Sequence, residues 1–270
     1  MSRRFVYYGA GKAGGLDPDA EAFLTATGII DPTTTTAIDT LVKELKAQSL
    51  WDKFRYIYPF VGGTSTTNKF NLKDPRDLDV AFRLQFFGGI THTNGFNPNG
   101  TNGYANTFCS PSGNVTLDSE HLYITSNTNN TPSVNTPVDV GALTNISQAS
   151  YLGIKLAGNI DSRLNSDRIQ TPNANSIGSF CATKNGNTDL KLFKNSNLET
   201  TATSGGTLSP LWLFLGTLTR FNSVSPNNSG PGNNYTNQNY TFATYGDGLT
   251  DTDVANLTSI EQAFNTTLGR

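Results

Sequence analysis

The stretch from Thr188 to Phe221 strings three strand signals and their turns together, and few architectures absorb such a run. In Leu190-Lys-Leu-Phe-Lys-Asn195 the apolar residues alternate and then stop at Asn195-Ser196-Asn197, a combination that closes tight turns because Asn tolerates positive φ. A more polar return strand runs from Leu198 to Ser204. After Gly205-Gly206 the run Leu211 to Leu218 is apolar at odd and even positions alike, which a strand sustains only when both of its faces are covered. It reads as a central strand. A strand, an Asn turn, a polar return and a buried strand make a meander, the unit that builds one sheet of a β-sandwich.

The rest of the chain fits that unit. Between His121 and Phe180 the strand candidates HLYITS, SYLGIKLA and SIGSFCAT alternate with loops rich in Asn, Thr and Pro, at the spacing of sandwich strands. Helical signals sit at the two ends. Asp31-Pro32 opens a cap of threonines, after which Ile38, Leu41, Val42 and Leu45 share one helical face. Ser49 and Asp52 read as a capping pair for a second short helix carrying Leu50, Trp51 and Phe54. Near the other end, Thr250 or Asp251 caps a helix whose buried face is Val254, Leu257, Ile260, Ala263, Phe264 and Leu268. The expectation is a mainly β protein, with two packed antiparallel sheets from about Phe60 to Tyr245. Peripheral helices from Thr36 to Phe54 and Thr252 to Leu268 lie outside them.

At 270 residues the chain can bury a proper core as one main domain. Only 15% of residues are charged and the net charge is −2, so no basic field exists to hold nucleic acid or an anionic membrane. A neutral partner is expected. There is no apolar run of membrane-spanning length, so the reading is of a soluble protein without membrane insertion.

LKLFKNSNLETTAT followed by LWLFLG resembles the strand, turn, strand and Gly-ended apolar strand of laminin-G and concanavalin A-like lectin domains. The closing FATYGDGLTDTDVANLTSIEQAFNTTLGR is similar to the end of such domains in virion proteins of phages infecting Bacteroidetes. LWDKFRYIYPFVGGTSTTNKFNLKDPRDLDVAFRLQF, with GFNPNGTNGYANT after it, resembles the segment that opens them. The resemblance spans roughly residues 30 to 270. It implies a concanavalin A-like β-sandwich of jelly-roll type over residues 29–270. It also implies a non-enzymatic virion structural protein, a decoration, fibre or spike component assembled in the host cytoplasm, with host-surface glycan as a ligand. A dedicated carbohydrate-binding module is the alternative, and a polysaccharide-degrading enzyme a more distant one, because a fold shared by lectins, enzymes and spacers does not fix an activity.

The residues argue against catalysis. Lectin-fold glucanases carry Glu-x-Asp-x-(x)-Glu on one strand, whereas here Glu44 and Glu261 lie on helices and Glu21 near the amino end. Neither Glu120 nor Glu199 has a second carboxylate at strand spacing. No Gly-x-Ser-x-Gly elbow occurs, His92 and His121 lack partners at zinc-ligand spacing, and no cofactor is expected. Cys109 and Cys181 read as buried reduced thiols. Asp74, Asp77 and Asp79 invite either a calcium site or a turn in which Asp side chains cap amides and pair with Arg76. The turn is the commoner use of such spacing.

Recognition is expected in two loops. ITHTNGFNPNGTNGYANT offers Asn99, Asn102 and Tyr104, and the loop from Phe221 to Phe242 offers Tyr235 and Tyr240 as flat faces among amides. Residues 1–28 read as an attachment arm. Its Gly9-Ala-Gly-Lys-Ala-Gly14 is formally a dinucleotide fingerprint, but Gly15 and Asp17-Pro18 interrupt the helix that fingerprint needs, and no βαβ alternation follows. Arg3, Arg4, Phe5, Tyr7 and Tyr8 cannot bury themselves in so short a segment, so they are expected to dock on another virion protein or on a symmetry mate, with a trimer as the expected homo-oligomer.

Overall fold

The computed structural model describes residues 15–134, 136–165, 168–186, 189–203, 205–220 and 230–270. Two sheets face each other across an apolar core. The first runs, in spatial order, Phe54–Tyr58, Tyr240–Gly246, Ser119–Ser126, Gly178–Asn185, Leu190–Lys194 and Asn197–Ala202, all antiparallel. The second runs Arg168–Pro172, Asn159–Asn165, Gln148–Leu156, Val140–Asn145, Phe214–Leu215, Tyr104–Asn106 and Gln85–Phe87. A short branch, Leu218–Arg220, joins Val140–Asn145 in parallel. Spatial neighbours distant in the chain, such as Phe54–Tyr58 beside Tyr240–Gly246, give the crossing pattern of a jelly-roll-like sandwich.

Strand alternation divides the side chains of the first sheet between two cores. Leu122, Ile124, Phe180 and Ala182 point inward and meet Leu152, Ile154 and Leu164 of the second sheet. Tyr123, Cys181, Phe193 and Phe242 point outward, where the helices Pro18–Thr27, Pro32–Ala47 and Asp251–Thr267 cover them. In the second helix the Asp31 carboxylate accepts from the Thr34 N–H at 2.8 Å and Pro32 occupies the first turn, so Ile38, Leu41, Val42 and Leu45 are buried as their spacing requires. Each such burial contributes ~1.5–3 kcal/mol. Asn195 and Ser196, both at positive φ, close the Leu190–Ala202 hairpin where the sequence placed its turn.

Several boundaries move. The Ser49–Phe54 segment is not a helix: Trp51–Lys53 makes a single 3-10 turn, and Phe54–Tyr58 is an edge strand whose Tyr56 and Tyr58 enter the inter-sheet core. The three-residue spacing of Trp51 and Phe54 suggested a helix, but the alternation that begins at Phe54 governs. Leu211–Leu218 is bent instead of continuous, because Gly216 at φ +84° separates Phe214–Leu215 from Leu218–Arg220. Only Gln85–Phe87 of VAFRLQFF is a strand, since Asp79–Ala81 is a 3-10 turn and Phe82 is left-handed. Residues 18–27, counted with the arm in the sequence, form a helix capped by Asp17, with Ala20, Phe23 and Leu24 buried in the helical layer. The arm residues Arg3, Arg4, Phe5, Tyr7 and Tyr8 lie outside the described residues.

The buried face of the last helix is rotated from the apolar one. Glu261 and Asn265 are buried with Val254, Leu257 and Phe264, whereas Ala263 is exposed. The sheet beneath supplies hydroxyls: Ser179 Oγ donates to Glu261 Oε2 at 2.8 Å, and Tyr123 lies alongside at 3.4 Å. Arg270 then ties the helix end to the carbonyls of Pro59, Phe60 and Thr241 at 2.6–3.0 Å. The aspartates pair as a turn would: Asp74 with Arg76, Asp77 with Lys69, and Asp79 with Arg83. Among the described residues no group of His, Cys, Asp or Glu is arranged to hold a metal, and no helix is long and apolar enough to cross a membrane.

Candidate functional site

The second sheet ends in three short strands, Phe214–Leu215, Tyr104–Asn106 and Gln85–Phe87. Phe86, Ala105 and Leu215 face the core, so Phe87, Tyr104 and Phe214 face outward. Phe87 stacks on Tyr104 at 4.9 Å between centroids, and Tyr104 stacks on Phe214 at 5.1 Å. Gly216 falls opposite Tyr104 when the register is continued, and a Cβ there would press on Gly103 O at 3.2 Å and on the Pro98 ring at 3.3 Å. Phe87 closes the stack on the outermost strand and is 36% exposed.

The second expected loop meets the first here. Tyr235 lies 6.4 Å from Tyr104, tilted by 45°, and both rings are half-buried. Tyr235 is held in place from below: the next residue, Thr236, donates its hydroxyl to Asp139 Oδ1 at 3.0 Å and its N–H to Gly216 O at 3.1 Å. Asp139 is fully buried and also accepts from the Tyr240 hydroxyl and from Ile154 N–H at 2.6 Å, and its burial raises the carboxyl pKa. Partial burial likewise raises the phenols of Tyr104 and Tyr235, so both are hydrogen-bonding hydroxyls at neutral pH.

The other expected residues divide. Tyr240 is fully buried, paired with Phe96 through backbone bonds of 2.9 and 3.0 Å, and its ring is part of the core. It therefore presents no face to a ligand, and its place in the polar loop misled the sequence reading. Asn99 and Asn102 are exposed beside the stack, but Asn99 Oδ1 accepts the N–H groups of residues 101, 102 and 103, each at 3.0 Å. Asn102 Oδ1 accepts from Gly89 N–H at 3.0 Å and Asn99 Nδ2 at 2.8 Å. These amides build the turn that frames the rings. Phe87 and Phe214 were missed, although outward parity in Gln85-Phe-Phe87 and Leu213-Phe-Leu215 was available as a signal.

The rings and the turn amides around them form an outward contact surface. Three further buried carboxylates are engaged elsewhere: Asp161 by Tyr151 and Arg168, Glu120 by Tyr245, and Glu261 by Ser179. No family model and no curated protein matches the sequence. Solved structures with a similar chain course include the binding domain of botulinum neurotoxin serotype D, at 13% identity and a TM-score of 0.48, covering 78% of this chain and 52% of that one. Another is the binding domain of botulinum neurotoxin DC in complex with rat synaptotagmin II, at 13% identity and 0.49, covering 80% and 52%. The chain spans about half the length of these structures. The two-sheet architecture stands on its own strand pairing, and what those domains bind is a property of those domains.

Proposed function

We propose that this chain is a non-enzymatic recognition module that holds a neutral glycan at the Phe87–Tyr104–Tyr235 corner and is displayed as a decoration, fibre or spike component of a phage virion. One observation carries the glycan reading: an outward stack of aromatic rings, open at Phe87 and framed by amide-built turns, on a chain with few charges. The CH faces of sugars pack on aromatic rings, while their hydroxyls suit phenols and amides. The virion placement is supported by the sequence resemblance of residues 30–270.

A glycan array and a host-cell adsorption assay test it, using the wild-type protein and Tyr104→Ala. Binding by the wild type that falls at least tenfold in the variant is expected, whereas no binding by the assembled protein at high concentration removes the reading. Release of reducing ends from capsular polysaccharide would instead establish the enzyme alternative. Deleting residues 2–15 is expected to leave the melting temperature nearly unchanged while lowering the oligomeric state or removing the protein from particles. An insoluble product would place the arm in the core.

A further inference from the structure

The ring stack is one end of a longer strip. Past Asn106 the chain reaches Phe108, and two residues before Phe214 lies Trp212. Bonds from Thr107 N–H to Leu213 O at 3.2 Å and from Leu213 N–H to Cys109 O at 2.8 Å keep the two segments side by side. Leu84, Cys109 and Leu213 enter the inter-sheet core, so alternation puts Arg83, Phe108 and Trp212 on the outer face that also carries Phe87 and Tyr104.

Trp212 is 37% exposed and meets Phe108 edge to face at 5.2 Å. Phe108 itself holds a left-handed backbone at φ 56°, a conformation that strains a bulky residue and that clusters at binding sites. Arg83 lies 6.0 Å over the Phe108 ring, and its charge is met by Asp79 at 2.7 Å and Asp77 at 3.2 Å. Between the two aromatic groups sits Gln85, exposed. Tyr104 and Phe108 stand four residues apart, roughly 13 Å at about 3.3 Å per residue, with Phe214 and Gln85 in the row between them.

We infer that Phe108 and Trp212 form a second contact region for the same ligand, which is therefore a linear neutral oligosaccharide lying along the strands and not a single terminal sugar. The inference rests on reading the Tyr104 corner as a glycan site. The Tyr104–Phe108 span exceeds one sugar ring, the Arg83 cation over Phe108 is neutralised by Asp77 and Asp79, and an exposed amide stands where a chain crossing the gap would present hydroxyls. These features select an extended, uncharged chain.

The test is titration calorimetry of the full chain with disaccharides and hexasaccharides of the gluco, manno, xylo and galacto series. The wild type is expected to bind one hexasaccharide at least tenfold more tightly than its disaccharide. Trp212→Ala should erase that advantage while leaving disaccharide binding unchanged, Trp212→Phe should keep part of it, and Tyr104→Ala should weaken both. Equal binding of both lengths, with Trp212→Ala silent, overturns the second region and leaves the Tyr104 corner standing. No binding of any series by a folded protein overturns both. Sedimentation showing a self-associated wild type that Trp212→Ala dissociates would make the strip an interface between copies and overturn the inference.

Discussion

Glu120 and His121 are neighbours in the chain and face opposite sides of the same sheet, each with no exposure to water. Glu120 points into the inter-sheet core and accepts from the Tyr245 hydroxyl at 3.0 Å. His121 points under the helices, where its Nδ1–H donates to Asp247 O at 2.6 Å and its Nε2 accepts from Thr244 Oγ1 at 3.0 Å. Burial drives the two in opposite senses, lifting the carboxyl from 4.5 to about 7 and lowering the imidazole from 6.5 to about 4.

Their effects on stability therefore oppose each other. Between 4.5 and 7 the folded state holds more proton on Glu120 than the unfolded one, so stability falls as pH rises; between 4 and 6.5 the unfolded state holds more on His121, so stability rises with pH. Together they are expected to cancel over much of that window. Relative to wild type, the urea midpoint of Glu120→Gln should climb with pH from 4.5 to 6.5, and that of His121→Gln should fall. Parallel profiles for all three proteins would refute the assignment.

The Glu261 and Arg270 contacts latch the last helix onto the first sheet. Glu261→Ala removes the acceptor of the buried Ser179 hydroxyl, and a cost of ~1–3 kcal/mol is expected. Hydrogen exchange should speed up first over residues 251–267. Uniform acceleration across both sheets would show that the helix is no separate unit.

Cys109 lies between the sheets and Cys181 lies under the helices, each buried, and burial raises both thiols well above the ordinary range. Neither should react with iodoacetamide in the native protein, while both should be alkylated in denaturant. Native modification of Cys181 alone, read by mass spectrometry, would reveal that the helical layer opens independently.

Gly88 has φ +68°, and a Cβ there would stand 2.0 Å from the backbone oxygen of Asn102. Gly88→Ala must displace the Asn99–Asn102 turn, at a cost of ~1–3 kcal/mol. On the proposed reading glycan affinity should drop with it, because that turn frames the rings. Unchanged affinity and unchanged midpoint would mean the turn has slack.

The strands legible in the sequence were those with apolar alternation or a recognisable turn, such as Ser119–Ser126, Gln148–Leu156 and the Leu190–Ala202 hairpin. Val140–Asn145 and Asn159–Asn165 escaped because VGALTN and NIDSRLN carry small and polar residues; Gly141, for instance, must stay bare where Tyr151 lies across it. The site was half legible. Tyr104 and Tyr235 stood out in polar loops, but their meeting depends on Asp139, distant in sequence from both, and no local pattern announces such a post.

The first sheet is wedged between two cores, whereas the second leaves its Gln85–Phe87 edge facing outward. Substitutions at Leu122 or Tyr123 disturb one core or the other, so the central strands Ser119–Ser126 and Gly178–Asn185 have almost no freedom to vary. Phe87, Gln85 and Trp212 can change without opening a void. If the proposed recognition surface is right, a lineage or a mutagenesis library can redraw it position by position while the fold tolerates each step.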